Sequence, residues 1–524
     1  MDYSTGKLAF ILIAAVLLSC VGAWVIAQRY RAAMRRLMSA PAATAPGAVA
    51  GAGSDLKLDP GEPAAALPAR AVTAQDNRRA DLRLAGLLVG LSCLMALSST
   101  ALFLVFAIDD PFSLKRLAIL GLLRLWPAIP ALGLTWRWSR VRLLTTLVLW
   151  CVLCFAVLLW RSIEPRPLEL LQFLAGEVGV PMLLVALLCL GNATRAIASW
   201  LLPPLVGLVW ASVAGVDLLA LLVERRSPLL MSLTAWLGVN GVIALFALMP
   251  WLIAWWPLKR LGRALARAYV DKLLSELMVL FTAVWAIVLL CEALTSASSL
   301  GLGGLMMLLP LAWIPLVMMI YRRRRPAPPG RPPTLLVLRV FQRDAQVQAL
   351  FDHVIERWRL TGNTVLIAGT DLADRTLDAD DIFTFIDGGL AQRFIRTPAD
   401  VAPRLAGFDL GIDAEGRYRI NELYCHDTTW QAALAALVQR SDVVLMDLRG
   451  FQAHNAGCCH ELAVLAQARR IARVAVLTDG QTDRAAADVA AAGAPPGRFM
   501  WLDTARIGTR ERKEVLHKLF VAVL

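Results

Sequence analysis

The chain has 524 residues, of which 58% are hydrophobic and 18% are charged. Soluble domains contain roughly 45–50% apolar and about 25% charged residues, so this composition excludes a wholly soluble protein. The net charge of +13 would suit a nucleic-acid partner. However, the Arg clusters stand at the ends of apolar segments, where membrane topology accounts for them. We therefore expect lipid as a partner and no nucleic acid.

Apolar segments of roughly 20 residues, long enough to cross a bilayer as helices, fill the chain as far as residue 325. Nine spans are predicted, at about 8–27, 84–108, 117–135, 143–160, 170–190, 200–223, 229–256, 273–297 and 302–321. The resulting organisation is a first transmembrane anchor at 1–37, a disordered Ala/Pro/Gly linker at 38–77, a polytopic region at 78–325, a Pro-rich spacer at 326–333 and an α/β domain at 334–524. The first span is interpreted as an uncleaved anchor because its positive charges follow the apolar run.

The positive charges alternate consistently with nine spans. With that count, one side of the membrane carries the clusters at 29–36, 78–83, 137–142, 259–267 and 322–325. Basic loops stay on the cytoplasmic side, so we expect the N-terminus outside and the C-terminal domain in the cytoplasm, in an inner or plasma membrane.

Five ionisable residues fall inside or near the predicted spans. Charge in a bilayer is costly, so each is a candidate functional residue. Three stand near span ends, where their side chains could reach the interface: Arg124, Glu276 and Glu292. The other two, Glu177 and Asp217, lie deeper in their spans. A transport role is accordingly one hypothesis for the membrane region.

After residue 333 the pattern changes to short apolar strands alternating with amphipathic helices, which predicts a Rossmann-like three-layer α/β domain. Strands are expected at 335–341, 364–368, 418–423, 443–446, 474–477 and 500–502, and helices at 346–360, 381–394, 429–439, 458–470 and 509–521. Ligands in such folds bind beyond the carboxyl ends of the strands, and helix N-termini there favour anionic groups. This places Asp447, at a strand end, and Glu461, in the first turn of the next helix, at a predicted crevice.

Two stretches resemble a known family. LRVFQRDAQVQALFDHV at the start of the domain, and SDVVLMDLRGF followed by GCCHEL, are similar to the first strand and helix and to the W-C-x-x-E-L helix of Toll/interleukin receptor (TIR) domains and the related nucleoside deoxyribosyltransferases. The resemblance covers 335–369 and 430–477, about half of the domain. Gly457 stands where that family has Trp, and the insertion at 370–429 makes this domain larger than a TIR domain.

The resemblance implies an enzymatic site. Glu461 matches the catalytic glutamate that stabilises positive charge as an N-glycosidic bond to nicotinamide breaks, a need that glycosidases share. Asp447 stands where the deoxyribosyltransferases have an aspartate at the strand end. Further ligand contacts are predicted for Arg339 and Arg343 with a pyrophosphate, for Asn455 in the loop and for Trp430 with a base. NAD or another nucleotide would be the substrate, and no bound cofactor is predicted.

Structural roles remain open for the same residues. In the structural alternative, Glu461 is a helix-start acid stabilised by the helix dipole, and Asp447 only caps the loop. Arg339 and Arg343 would then be solvated or paired, and Trp430 would belong to the core. The Cys and His residues near the site fit no standard zinc spacing, so no metal is predicted.

Three functions compete at this stage. The first is a membrane-tethered signalling or effector protein whose domain binds or cleaves a nicotinamide dinucleotide or a nucleoside. The second is a non-enzymatic signalling scaffold, with self-association left open. The third is a transporter with a regulatory domain. No P-loop, dinucleotide-binding glycine motif or H-E-x-x-H sequence decides among them.

Overall fold

The computed structural model describes residues 5–39, 72–108, 111–162, 166–325, 331–340, 344–368, 379–426 and 428–523. The chain divides into two compact units. The first comprises Met1–Gln28, Ala85–Arg323 and Asp378–Phe383, and the second comprises Arg29–Leu84, Arg324–Leu377 and Thr384–Leu524. Most of the predicted linker and of the Pro-rich spacer, together with Arg343, lies outside the described residues.

Long apolar helices dominate the chain before residue 325. Among the described residues, eight are long and apolar enough to cross a membrane, and a bent pair raises the number to nine. The helices are α1 Thr5–Ser39, α2 Ala74–Phe106, α3 Leu114–Leu123, α4 Ala128–Thr135, α5 Arg140–Arg161, α6 Pro167–Leu174, α7 Val180–Leu190, α8 Ser199–Glu224, α9 Pro228–Val270, α10 Glu276–Leu300 and α11 Trp313–Arg324. The protein is therefore multi-pass, while its orientation remains a prediction.

Several spans are interrupted by tighter or wider turns. The bent pair consists of α3 and α4, which meet at 43°. Pro127 stands immediately before α4, and because proline has no backbone N–H it interrupts the hydrogen-bond ladder there. Two π-helical segments and one 3-10 segment lie between other helices: Ala175–Gly179, Thr194–Ala198 and Gly301–Ala312.

Helices α8 and α9 approach each other closely at Gly215. A Cβ atom there would lie 2.0 Å from the carbonyl oxygen of Phe246 and 2.7 Å from Cγ of Pro250. Because lipid gives helices no hydrophobic drive to associate, such close contacts stabilise membrane helix pairs. We expect Gly215→Ala to lower the stability of the solubilised protein by about 1–3 kcal/mol, because the two backbones must separate.

The matched control is Gly262→Ala in α9, where no atom lies within 4 Å of the added Cβ. This change should leave stability unchanged or raise it, because Ala favours helix over Gly by about 1 kcal/mol. Thermal unfolding midpoints of both variants in detergent test the prediction. Equal midpoints for the two variants would refute it.

The C-terminal domain contains a seven-stranded parallel sheet with the order β3-β4-β2-β1-β5-β6-β7. The strands are β1 Thr334–Arg339, β2 Asn363–Ala368, β3 Phe394–Ile395, β4 Ile420–Cys425, β5 Val443–Asp447, β6 Val474–Thr478 and β7 Phe499–Asp503. The helices are α12 Asp344–Leu350, α13 Glu356–Trp358, α14 Ala379–Ile386, α15 Val401–Ala406, α16 Trp430–Arg440, α17 Ala456–Gln467, α18 Arg484–Ala490 and α19 Thr509–Val523. A π-helical turn, Phe351–Ile355, joins α12 to α13.

Two hydrophobic cores cover the two faces of the sheet. In β1, Leu336 and Leu338 belong to one core, with side chains of α15, α16, α17 and α18. Leu335 and Val337 belong to the other, with side chains of α12, α13 and α19. Both faces are buried at the central strands, which explains why β1, β5 and β6 are nearly continuous apolar runs. The three-layer architecture agrees with the fold class expected from the sequence.

The predicted helix at 381–394 is shorter than expected. It ends at Ile386, and Gly388 follows with φ +75°, a backbone conformation that suits glycine and stops a helix. The chain then forms a 3-10 turn, Leu390–Arg393, and the two-residue strand β3. Strand β3, the 3-10 turn Pro398–Asp400 and the short helices α15 and α18 were not predicted, because elements this short show little periodicity.

Candidate functional site

The sheet has a topological switch point between β1 and β5. The chain leaves β1 towards β2 on one side and leaves β5 towards β6 on the other, and in parallel sheets ligands bind beyond the carboxyl ends of the strands at such a point. Arg339 and Asp447 are partners in the ladder at this edge. The backbone N–H of Val340 donates to the carbonyl of Asp447 at 3.0 Å, which keeps the two strand ends together.

Helix α17 begins at the same edge of the sheet. Asn455 precedes it, and the side-chain oxygen of Asn455 accepts a hydrogen bond from the backbone N–H of Gln452 at 2.8 Å, which orders the loop. Within the first turn, the Cys458 sulfur lies 4.0 Å from the carbonyl oxygen of Arg339. The start of the helix therefore packs against the end of β1. Because the helix begins at Ala456, Glu461 lies in its second turn, not in the first turn that the sequence predicted. The packing brings Glu461 close enough to the Arg339 guanidinium for the two charges to interact.

Glu461 is buried without full compensation. The residue is 6% exposed, and Oε2 has no hydrogen-bond partner among the described residues. Burial raises the pKa of Glu461 to about 8, because a carboxylate loses its hydration, while the charge of Arg339 lowers that pKa. Glu461 is therefore largely protonated at neutral pH in this arrangement. A buried acid with a raised pKa at the carboxyl edge of a parallel sheet is typical of functional sites.

Asp447 is paired with an arginine that the sequence analysis did not single out. Arg449 reaches back to it with two bonds, Nε to Oδ1 at 2.8 Å and Nη2 to Oδ2 at 2.5 Å. Arg449 is 1% exposed, and its Nη2 also donates to the carbonyl of Gln346 at 3.1 Å. Its Nη1 has no hydrogen-bond partner within the described part of the chain. The sequence signal for this pair was D-L-R. Arg449 follows Asp447 by two positions, which lets its guanidinium fold back onto the Asp447 carboxylate.

Residues that follow β6 form hydrogen bonds with the loop that follows β5. The backbone N–H of Gly450 donates to Oδ1 of Asp479 at 2.8 Å, and Asp479 follows β6. The Thr482 hydroxyl bonds both the carbonyl of Leu448, at 2.9 Å, and Oδ1 of Asp479, at 3.0 Å. Asp479 is thus a second residue missed by sequence reasoning. Its place after a strand, in the sequence T-D-G, was the available signal.

The structure brings together three of the six predicted site residues, Arg339, Asp447 and Glu461. Asn455 stands at the start of the helix that carries Glu461. Trp430 is half-buried, packs against the core and makes an edge contact with the His460 ring at 5.4 Å between centroids. Its core role therefore has direct support.

Cys458, at this edge of the sheet, is not activated as a nucleophile. Burial and the nearby Glu461 carboxylate raise the pKa of the Cys458 thiol well above its usual value, so it remains protonated and weakly nucleophilic. Among the described residues, no three His, Cys, Asp or Glu side chains lie close enough together to hold a metal ion.

No family model, curated protein or solved structure matches the chain.

Proposed function

We propose that the protein is a membrane-tethered effector whose α/β domain binds a nicotinamide dinucleotide or a related nucleoside and cleaves its N-glycosidic bond. The observation that carries the proposal is the buried Glu461 carboxyl at the switch point of a parallel sheet, beside Arg339. Its Oε2 has no hydrogen-bond partner in the part of the chain that the structure describes. A ligand with a positive centre would supply the missing interaction. The pyridinium ring of NAD and the ribose cation that forms when the bond breaks both meet this requirement.

The proposed reaction uses few protein groups. The bond between ribose C1′ and the ring nitrogen breaks, its electron pair passes to the ring, and nicotinamide leaves as a neutral molecule. The ionised Glu461 stabilises the positive charge that develops on the ribose, as carboxylates do in glycosidases. A water oxygen then bonds to C1′ and one of its protons passes to Glu461 and on to solvent. The products are ADP-ribose, nicotinamide and one proton.

Positive groups at the carboxyl edge of the sheet support binding of the phosphates. Arg339 stands at the end of β1. Nη1 of Arg449 has no hydrogen-bond partner among the residues described, although the other two guanidinium nitrogens are bonded. Guanidinium groups bind phosphate oxygens through paired hydrogen bonds. We assign the pyrophosphate to Arg339 and Arg449 and the ribose to Asn455. Trp430 packs against the core and takes no part in this assignment. Asp447 acts as the positioning residue that fixes Arg449, since its carboxylate is already bonded.

The pH dependence of turnover is a specific prediction. The reaction needs the ionised Glu461, and the pKa of this group in the free protein is raised to about 8. We therefore expect kcat/KM for NAD to rise with pH and to level off above about pH 8, since this ratio reports groups of the free enzyme. Initial rates of nicotinamide release by the full-length protein, measured from pH 6 to 10, test this. A rate that falls through this range would contradict the proposed role.

The same assay separates the proposal from a scaffold. A scaffold would bind the nucleotide and raise the melting temperature of the protein, because a ligand that binds only the folded state stabilises it. It would release no nicotinamide. Cleavage of NAD, NADP or any nucleoside tested supports the enzymatic function. A higher melting temperature of the protein without any product supports the scaffold.

A further inference from the structure

A buried ionic cluster lies within the membrane unit, formed by residues far apart in the sequence. Arg124, at the end of α3, is 3.3 Å from Oε2 of Glu177 through Nη2 and 3.3 Å from Oε1 of Glu292 through Nε. The side chains of Arg124 and Glu292 are each 5% exposed, and that of Glu177 is 15% exposed. Arg124 and Glu292 stand near predicted span ends, so their side chains were expected to reach the membrane interface. The structure contradicts this, because both are buried.

The cluster carries unbalanced charge. One guanidinium faces two carboxylates, so the fully ionised group has a net charge of −1. Each ion removed from water costs several kcal/mol, and one arginine cannot compensate two such ions. Two further observations mark the site as incomplete: Nη1 of Arg124 and Oε2 of Glu292 are buried and have no hydrogen-bond partner among the described residues.

The local backbone is irregular where these residues stand. Glu177 lies in the π-helical segment Ala175–Gly179, and π-helical turns inside helices often occur at functional sites. Arg124 stands at the break between α3 and α4. Its guanidinium also lies over the ring of Phe103 in α2, with 4.5 Å between Cζ and the centroid. Four elements of the membrane unit therefore converge on one charged group.

We propose that Arg124, Glu177 and Glu292 form a binding site for one exchangeable proton inside the membrane unit. Uptake of a proton by either carboxylate forms an O–H bond and changes the net charge of the cluster from −1 to zero. The titratable groups that face Glu292 are Arg124, Glu177 and the adjacent Cys291, and the Ser99 hydroxyl of α2 is the neighbouring polar group. Two carboxylates that share one cation titrate as a unit, so the proton belongs to the pair. This inference is independent of the function proposed for the α/β domain.

A charge argument gives the test. If either glutamate becomes Gln, one arginine faces one carboxylate, the charge is balanced, and the exchangeable proton is lost. We therefore expect full-length protein in lipid nanodiscs to show a titrating carboxyl band in infrared difference spectra between about pH 5 and 9. The band should disappear in Glu292→Gln and equally in Glu177→Gln. Asp217→Asn is the matched control, because Asp217 is already balanced by Lys7 at 2.5 Å and its removal should leave the band unchanged.

Each outcome decides the proposal. Loss of the band in both Gln variants, with thermal midpoints close to that of the wild type, supports it. A wild-type spectrum without a titrating band, or a band that survives in either Gln variant, overturns it. Spectra in sodium chloride and in choline chloride should agree. A band seen in choline alone would identify a sodium site and would also overturn the proposal.

Discussion

Glu461→Gln is expected to reduce the release of nicotinamide from NAD by about 10²–10⁴-fold, the usual contribution of a positioned acid or base. Gln has nearly the shape of Glu but cannot carry the negative charge that the proposed transition state requires. Binding of the dinucleotide should change much less than kcat, because Arg339 and Arg449 remain in place. Rates and KM values of wild-type and variant protein, measured at pH 8, test the prediction.

The same substitution is expected to stabilise the domain at alkaline pH. The pKa of Glu461 in the folded protein is about 8, above its ordinary value of 4.5. The folded state thus binds more protons than the unfolded state between these values. Stability contributed by the protonated carboxyl is fully present below about pH 4.5 and is lost as pH rises through about 8. Glu461→Gln should remove this pH dependence, worth on the order of a few kcal/mol.

The control for both effects is Glu514→Gln, an exposed glutamate on α19. It removes the same charge from the same domain and should change neither turnover nor the pH dependence of stability. Two results would count against the catalytic role of Glu461. One is full turnover in Glu461→Gln, and the other is equal loss of turnover in Glu514→Gln.

Arg449→Met is expected to destabilise the domain by about 3–5 kcal/mol. Arg449 and Asp447 form a two-bond ion pair with side chains 1% and 5% exposed. Removal of one partner leaves the other charge buried and unpaired, which costs far more than the pair contributes. Amide hydrogen exchange in peptides from β5 of the full-length protein measures this loss of stability. The amides of β5 should exchange faster in the variant because the strand opens more often.

A double variant separates loss of charge pairing from loss of packing. Asp447→Asn combined with Arg449→Met leaves no charge at the position and should recover much of the stability lost in Arg449→Met. Arg484→Met is the exposed control, because the Arg484–Asp488 pair has side chains 49% and 56% exposed and should contribute less than about 1 kcal/mol. If the double variant exchanges as fast as Arg449→Met, the pairing account is wrong.

Much of the domain follows from its sequence because its central strands, β1, β5 and β6, are fully buried. Val443, Val444 and Leu445 are all inaccessible to solvent, so the run is apolar throughout and easily recognised. The convergence of Arg339, Asp447 and Glu461 was predictable for a related reason. Two of them end neighbouring strands, the third lies in the second turn of the helix that follows, and a parallel sheet brings these positions to one edge.

Other features depend on tertiary contacts that no local pattern shows. The turn that folds Arg449 onto Asp447 is set by the loop between β5 and α17, which is anchored by Asp479 from the next strand. The membrane cluster joins Arg124 to Glu177, which is 53 positions away, and to Glu292 on α10. The hydrophobic pattern of the sequence places these residues in membrane spans. It does not indicate which faces of the helices contact one another.

The most direct test of the central proposal is product analysis after full-length protein is incubated with NAD, NADP and a panel of nucleosides. We expect ADP-ribose or its phosphorylated analogue, nicotinamide and one proton to appear in equal amounts with wild-type protein. The amounts should fall to the background level with Glu461→Gln and should persist with Glu514→Gln. If wild-type protein cleaves the N-glycosidic bond of no compound in the panel, the α/β domain is not the enzyme proposed here.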